Sequence, residues 1–325
     1  MKAIVTGVAG FIGFHTTRRL LDAGWQVIGI DNLNDYYPVE LKEARLQQLR
    51  HRDGFRFGKA DIADPQALAT AIGADSDADV IVHLAAQAGV RYSIENPLAY
   101  VSSNVMGQVT VFETALKLPK RPPVVYASSS SVYGANEKIP FSESDAVDHP
   151  VSVYAATKRS GELLALSYRH VHGLASTGLR FFTVYGPYGR PDMAPWLFTD
   201  AILKGETIRV FNDGEMQRDF TFVDDIVSGV VGALNRILEK PDDTAPVYNL
   251  GNNRPVMLGD FIATIERATG REAIRKLEPM PAADVQRTYA DIALAARDLG
   301  FSPKTSLDDG IPLFVEWFRG YNGTR

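Results

Sequence analysis

The sequence predicts an α/β protein, with a doubly wound parallel sheet in its N-terminal half and a smaller α/β cap at its C-terminal end. Three observations carry this. Short β-branched apolar runs alternate with amphipathic stretches from Lys2 to Lys158, the pattern of successive βαβ units. The first of these units turns through three glycines, Gly7, Gly10 and Gly13, between strand and helix. Beyond Pro187 the texture changes to shorter, mixed elements joined by turn-rich connections. The expected division places residues 1–185 in the sheet domain, with about 219–252 returning to it, and 186–325 mainly in the cap.

Composition sets the outer limits. At 325 residues, 45% apolar and 22% charged, the chain has material for one large or two unequal domains. A net charge of -5 advertises no nucleic-acid partner. The absence of cysteine excludes disulfides, thiolate metal sites and cysteine nucleophiles, and fits a cytoplasmic protein. A strand begins at Lys2, so no signal peptide is expected, and no apolar run is long enough to span a bilayer.

Residues 2–6 form the first strand, and an amphipathic helix follows the glycine turn to about Ala23. Gly7 permits the tight turn, Gly10 lets the backbone approach a phosphate, and Gly13 lets helix and strand pack closely. Phe11, Ile12 and Gly13 open the helix, where unpaired N–H groups and the helix dipole favour a pyrophosphate. The predicted sheet is therefore of the Rossmann type. A second strand over 26–30 ends in Asp31-Asn32. An acid there accepts hydrogen bonds from both ribose hydroxyls of an adenosine and repels a 2′-phosphate, so the cofactor is read as NAD rather than NADP.

Residues 33–38 read as a polar, tyrosine-bearing loop and 40–50 as a charged, solvated helix. A short strand over 55–57 leads to Asp61-Ile62, and Asp64-Pro65 opens a helix with good cap chemistry. The run over 79–86 is a buried strand. His83 within it reads as a hydrogen-bonded core residue, and with no histidine or cysteine partner at ligand spacing no metal is expected. One long helix is predicted from Asn96-Pro97 to about Leu118, carrying Asn104.

The run from Val124 through Ser128, Ser129, Ser130 and Ser131 is a buried strand that ends in four hydroxyls. In an open parallel sheet that edge is where ligands sit. Tyr154 and Lys158 are four apart at the start of a helical stretch and share one face. The lysine's charge favours phenolate and draws the tyrosine pKa toward neutrality, which makes Tyr154 a candidate general base. Tyr-x-x-x-Lys alone also arises from plain packing; the serine-rich strand end and the glycine loop distinguish it here. Further on, strands are expected over 175–184, 207–211, 220–223 and 247–251, with helices over 195–204, from Asp224, and over 257–269.

Gly7-x-x-Gly10-x-x-Gly13, Asp31, Asp61-Ile62, the serines at 128–131 and Tyr154-x-x-x-Lys158 together resemble the extended short-chain dehydrogenase/reductase family, along essentially the whole chain. Residues 83–93, 126–134, 180–193 and 217–221 are similar to the uronic-acid 4-epimerases that act on UDP-sugars. The resemblance implies a tightly bound, recycled NAD and reversible C4 epimerisation of UDP-glucuronate to UDP-galacturonate through a 4-keto intermediate. By that resemblance Tyr154 is the base, Lys158 tunes it and holds the nicotinamide ribose, and Ser129 shares the proton, with Ser130 and Ser131 close by. It adds Leu84, Ala85, Ala86 and Asn104 to the cofactor contacts. Thr183 and Arg190 fall at the sugar, where Arg190 resembles the family's carboxylate-binding arginine and Arg91 is a second candidate. Arg209, Phe211, Arg218 and Asp284 fall at the uridine diphosphate, although Ala282-Ala283 stand where relatives commonly have Pro-Gly. A homodimer through the helices near 97–118 and 154–171 is also implied.

Alternatives stay open at this point. A dehydratase would need an acidic pair beside the proton-sharing hydroxyl, where this chain has Ser130-Ser131. A UDP-glucuronate decarboxylase, a UDP-glucose 4-epimerase and a non-catalytic NAD-binding regulator would keep the same scaffold. Arg190 also suits an ordinary turn arginine paired with Asp192.

Overall fold

The computed structural model describes residues 1–73, 76–279 and 287–323. Asp284 lies outside the described residues. The chain begins with β1 (Lys2–Thr6), α1 (Phe11–Asp22), β2 (Gln26–Asp31), α2 (Val39–Arg50), β3 (Phe55–Lys59), α3 (Pro65–Ile72) and β4 (Val80–His83). It continues through α4 (Tyr92–Glu95), α5 (Pro97–Tyr100), a π-helical turn (Val101–Met106), α6 (Gly107–Lys117), β5 (Val124–Ser129), α7 (Val153–His172) and β6 (Ser176–Phe181). After β7 (Thr183–Tyr185) come α8 (Ala194–Lys204), β8 (Thr207–Phe211), β9 (Gln217–Phe222), α9 (Val223–Glu239) and β10 (Val247–Leu250). The last elements are β11 (Pro255–Met257), α10 (Leu258–Thr269), β12 (Ile274–Glu278), α11 (Ala293–Leu299) and α12 (Leu307–Asn322).

Seven strands form a parallel sheet in the order β10-β6-β5-β4-β1-β2-β3. Ile4 of β1 lies between Ile28 of β2 and Ile81 of β4. Such strands are covered on both faces, so their residues are apolar without alternation: Ala3, Ile4 and Val5 are all buried. The chain winds one way from β1 to β3 and the other way from β4 onward. The C-terminal ends of β1 and β4 therefore part company and leave a crevice between their loops. Two small sheets, β11-β9-β7 and β12-β8, stand beyond that edge. The stacked rings of Phe220 and Phe261, 4.2 Å apart, join β9 to α10 in the core. Burying each such ring contributes about 1.5–3 kcal/mol.

Four expectations change. The single helix over 97–118 is α5 and α6 with a π turn between them, and the wider turn swings Asn104 inward, where its side chain bonds Gln87 and Thr157. The strand over 175–184 breaks at Phe182, so that β6 stays in the main sheet while β7 pairs with β9. β9 itself belongs to a small sheet, whereas α9 packs on the main one and β10 pairs with β6 within it. α2 is not simply solvated: Arg45 is fully buried and Lys42 nearly so. Arg45 occupies the inward stripe with Leu41 and Leu49, donating to the carbonyls of Ala9 and Tyr188 and to the Tyr37 hydroxyl.

Candidate active site

A cavity of about 750 Å³ opens over the C-terminal ends of β1, β2, β4, β5 and β6. At one end lies the glycine turn. Gly7 has φ +74°, and a Cβ there would sit 2.6 Å from the Ala85 backbone nitrogen. A Cβ on Gly13 would stand 2.0 Å from the Gly7 carbonyl oxygen, so glycine alone lets α1 come so near β1. The first turn of α1, with Phe11, Ile12 and Gly13 lining the cavity, contains no acidic side chain. Its N–H groups present positive partial charge to whatever enters.

Asp31 stands at the end of β2, 8% exposed. Its carboxylate accepts the N–H of Ala9 at 3.0 Å and of Leu33 at 2.9 Å, which still leaves lone pairs for a ligand hydroxyl. Burial pushes its pKa up, and the two backbone N–H groups with the nearby Lys42 pull against that. Asn32 and Ile62 line the same end, with Leu84, Ala85 and Ala86 opposite. Two expected contacts are elsewhere. Asp61 is exposed, accepting from the Asn32 amide at 3.0 Å, and Asn104 is buried behind the lining as a brace between the loop after β4 and α7.

Mid-cavity, the end of β5 meets the start of α7. Ser152 caps that helix, its hydroxyl accepting the Ala155 N–H. Side chains alternate along β5, so Ser128 turns away to donate to Glu162 at 2.7 Å while Ser129 turns into the cavity that Tyr154 also lines. The Ser129 and Ser131 hydroxyls are 3.2 Å apart, and Ser130 lines the cavity beside them. Lys158 donates to the Ala127 carbonyl at 3.0 Å. Its pKa is lowered to about 8 by burial, while burial raises that of Tyr154, against the pull of Ser129 and the Arg190 guanidinium. The ammonium is turned to a backbone carbonyl, and both groups are penalised for charge by the same dry surroundings.

Thr183, at the start of β7, and Arg91, Arg190 and Arg218 line the far part of the cavity. Arg190 is paired with Asp192, Nε to Oδ1 at 3.0 Å. Arg218 donates to the Gln217 carbonyl. Arg209 and Phe211 do not line the cavity: Arg209 is largely exposed and bonded to Glu278. Phe211 lies between the guanidinium groups of Arg91, at 5.2 Å, and Arg209, at 5.1 Å. His83 is a buried core residue bonded to the Thr6 hydroxyl at 2.8 Å. Among the described residues no cluster of His, Asp and Glu is arranged for a metal. Sequence reasoning missed Tyr36, Asn34, Lys42, Gln87 and Met193, all in the lining. The stripe of Leu41, Arg45 and Leu49 on α2 was the available sign that this helix faces inward.

A dinucleotide fits this lining: a helix N-terminus free of acids for the phosphates, a braced carboxylate for ribose, and a buried lysine beside a tyrosine and serine for the redox end. The geometry defines a nucleotide-cofactor protein of the Rossmann class, with Ser129, Tyr154 and Lys158 lining one cavity. Residues 3–251 match the model of the NAD dependent epimerase/dehydratase family, and the chain belongs to that family. It is 47% identical over 333 residues to a probable UDP-glucuronate 4-epimerase of Rhizobium meliloti, covering 98% of this chain and 97% of that one. Its structure is similar to that of the UDP-glucuronic acid 4-epimerase of Bacillus cereus with UDP-glucuronic acid and NAD. There the TM-score is 0.88 and the identity 33%, over 99% of this chain and all of that one. A UDP-glucose 4-epimerase of Thermotoga maritima with UDP-glucose matches with TM-score 0.88 and 31% identity, over 99% and 100%.

Proposed function

We propose that this chain is an NAD-dependent UDP-sugar 4-epimerase that interconverts UDP-glucuronate and UDP-galacturonate through a 4-keto sugar. The observation that carries the reading is a guanidinium, Arg190, in the same cavity as Ser129, Tyr154 and Lys158. A glucuronate carboxylate is matched by the planar fork of arginine, for which a neutral hexose has no use. When bound, NAD would supply the acceptor and donor of the C4 hydride. Gly7, Gly10, Phe11, Ile12 and Gly13 would hold its phosphates, Asp31 and Asn32 its adenosine ribose, Ile62 and Leu84 to Ala86 its flanks, and Lys158 the other ribose. Tyr154 accepts the C4 hydroxyl proton and later gives it back. Ser129 shares that proton and steadies the ketone oxygen, with Ser131 oriented against it. Thr183 and Arg190 contact the sugar, with Arg91 a second candidate for its carboxylate, and Arg218 contacts the diphosphate. Arg209 with Phe211 shapes the uridine end from outside the lining. These contacts would keep the nucleotide held while the 4-keto sugar turns its other face to the cofactor.

Residues 1–185 with α9 and β10 act as the cofactor domain and the rest mainly as the sugar-nucleotide cap. A cytoplasmic setting suits a chain with no thiols. We also read the enzyme as a homodimer through α5, α6 and α7, because Leu98 on α5, Met106 in the π turn leading into α6 and Leu163 on α7 are 78%, 55% and 51% exposed. No helix among the described residues is long and apolar enough to cross a membrane.

Purified protein incubated with UDP-glucuronate and no added cofactor should form UDP-galacturonate without net absorbance at the NADH band. Carbon dioxide with a UDP-pentose would make it a decarboxylase. Faster turnover of UDP-galactose than of UDP-galacturonate would make it a hexose epimerase. Unchanged turnover by Tyr154→Phe would remove Tyr154 from the chemistry.

A further inference from the structure

Arg190 does not stand alone in the cavity. Its Nε and one terminal nitrogen engage both oxygens of Asp192, two residues on. Asp192 Oδ2 also accepts the Tyr36 hydroxyl at 3.0 Å. The Tyr36 ring packs on Tyr92 with centroids 4.9 Å apart, and its hydroxyl lies so close to Gly89 that a Cβ there would be 2.3 Å away. Gly89 has φ +99°, which a side chain would also resist. The loops after β2 and β7 thus meet at one carboxylate, and the segment after β4 backs Tyr36. Asp192 is held below the usual carboxylate range by Arg190, even though burial pushes it up.

A guanidinium has five N–H donors in one plane, and Asp192 takes two from its Nε edge. The remaining edge is left to the cavity, with its plane and direction set by Asp192. We infer that Asp192, buttressed by Tyr36, is a positioning residue that locks Arg190 so that it holds the substrate carboxylate in one orientation. This rests on the reading of Arg190 as the uronate carboxylate partner.

The chemistry shows why a locked arginine matters. Once C4 is a ketone, the C6 carboxylate is β to it. Loss of carbon dioxide breaks the C5–C6 bond and sends its electron pair into the C4 carbonyl as an enolate, which then takes a proton from water at C5. That step needs the C5–C6 bond parallel to the carbonyl π orbitals. A guanidinium that holds its direction keeps C6 near the carbonyl plane, whereas one free to swing lets C6 drift into alignment. The same ketone must also turn over, so the restraint has to come from the protein side of the contact. Asp192, tied to Tyr36 and through it to the segment after β4, supplies it.

The test is product partition. Asp192→Asn and Tyr36→Phe are incubated with UDP-glucuronate, and UDP-galacturonate, UDP-pentose species and released carbon dioxide are measured together. UDP-galactose turnover and the melting temperature are followed in parallel. Asp192→Asn should lower kcat on UDP-glucuronate about 10-fold and raise the share lost as carbon dioxide by a similar factor. Tyr36→Phe should move both the same way by less, and UDP-galactose turnover should change little. An unchanged carbon dioxide share in both variants, with the parent active on UDP-glucuronate, overturns the proposal alone. A lower KM with an unchanged share also overturns it, because Asp192 would then be a stand-in for the substrate carboxylate. A parent that does not epimerise UDP-glucuronate overturns this inference and the proposed function together.

Discussion

Glu162 lies eight residues beyond Tyr154 and four beyond Lys158, on the same stripe of α7. Its carboxylate is 2% exposed and pairs side-on with Arg180, also 2% exposed, through two hydrogen bonds of 2.8 Å. Ser128 at 2.7 Å and Arg159 at 3.1 Å complete its shell, and Arg180 reaches on to the Tyr133 hydroxyl at 2.9 Å. This network ties α7 to β5 and β6 directly behind the Ser129–Tyr154 contact. Glu162→Gln keeps the shape but removes the charge, leaves a buried guanidinium unpaired and sets an amide donor against other donors. Removing one partner of such a pair costs about 3–5 kcal/mol. At about 2 °C per kcal/mol for a chain of this size, the melting temperature should fall by roughly 6–10 °C. Urea titration with and without NAD, read beside kcat, is the assay. kcat should fall as well, since Tyr154 and Ser129 lose their common anchor. Although burial pushes Glu162 up, the bonds and charge of Arg180 hold it below its ordinary 4.5 in the folded chain. The unfolded chain then binds more protons between the two pKa values. The stabilisation is complete above about pH 4.5 and is lost as pH falls through the folded value, so Glu162→Gln should also flatten the acid limb of stability. Replacing both partners, Glu162→Met with Arg180→Met, should recover part of the loss, because no charge is then stranded. A Glu162→Gln protein within 1 kcal/mol of the parent would refute the reasoning.

Gly13→Ala places a Cβ 2.0 Å from the Gly7 carbonyl oxygen, so the glycine turn must move. The purified protein should carry little or no NAD, seen as a loss of the cofactor's contribution at 260 nm, and should be less stable by about 1–3 kcal/mol. Bound NAD at the parent's stoichiometry would show that the turn is not the phosphate site. Leu98→Asp puts a charge in the centre of the exposed apolar surface of α5. Light scattering should give the monomer mass for this variant and twice that for the parent, and equal masses would remove α5 from any interface.

The alternation of apolar runs and amphipathic helices, the glycine turn, Asp31 and the Ser129, Tyr154, Lys158 set were legible in the chain because each is a local relation. A tight turn needs glycine, a parallel strand buried on both faces must be apolar throughout, and residues four apart on a helix share a face. These relations sufficed for the doubly wound sheet and for an NAD site on its C-terminal edge. Asp192 beside Arg190 was also foreseeable, since the two are neighbours in one turn. What the chain alone did not disclose depends on residues far apart in sequence. Tyr36 reaches Asp192 across 156 positions, and Arg45 fastens Tyr188 across 143. Such pairs follow from how loops of different length cross the sheet edge, and no periodicity encodes that. The charge states behave alike. Lys158 and Tyr154 are four apart in any helix, yet only burial in the dry cavity decides that the lysine falls to about 8 while the phenol rises. Desolvation belongs to the whole surrounding volume, and that volume exists only once the chain has folded.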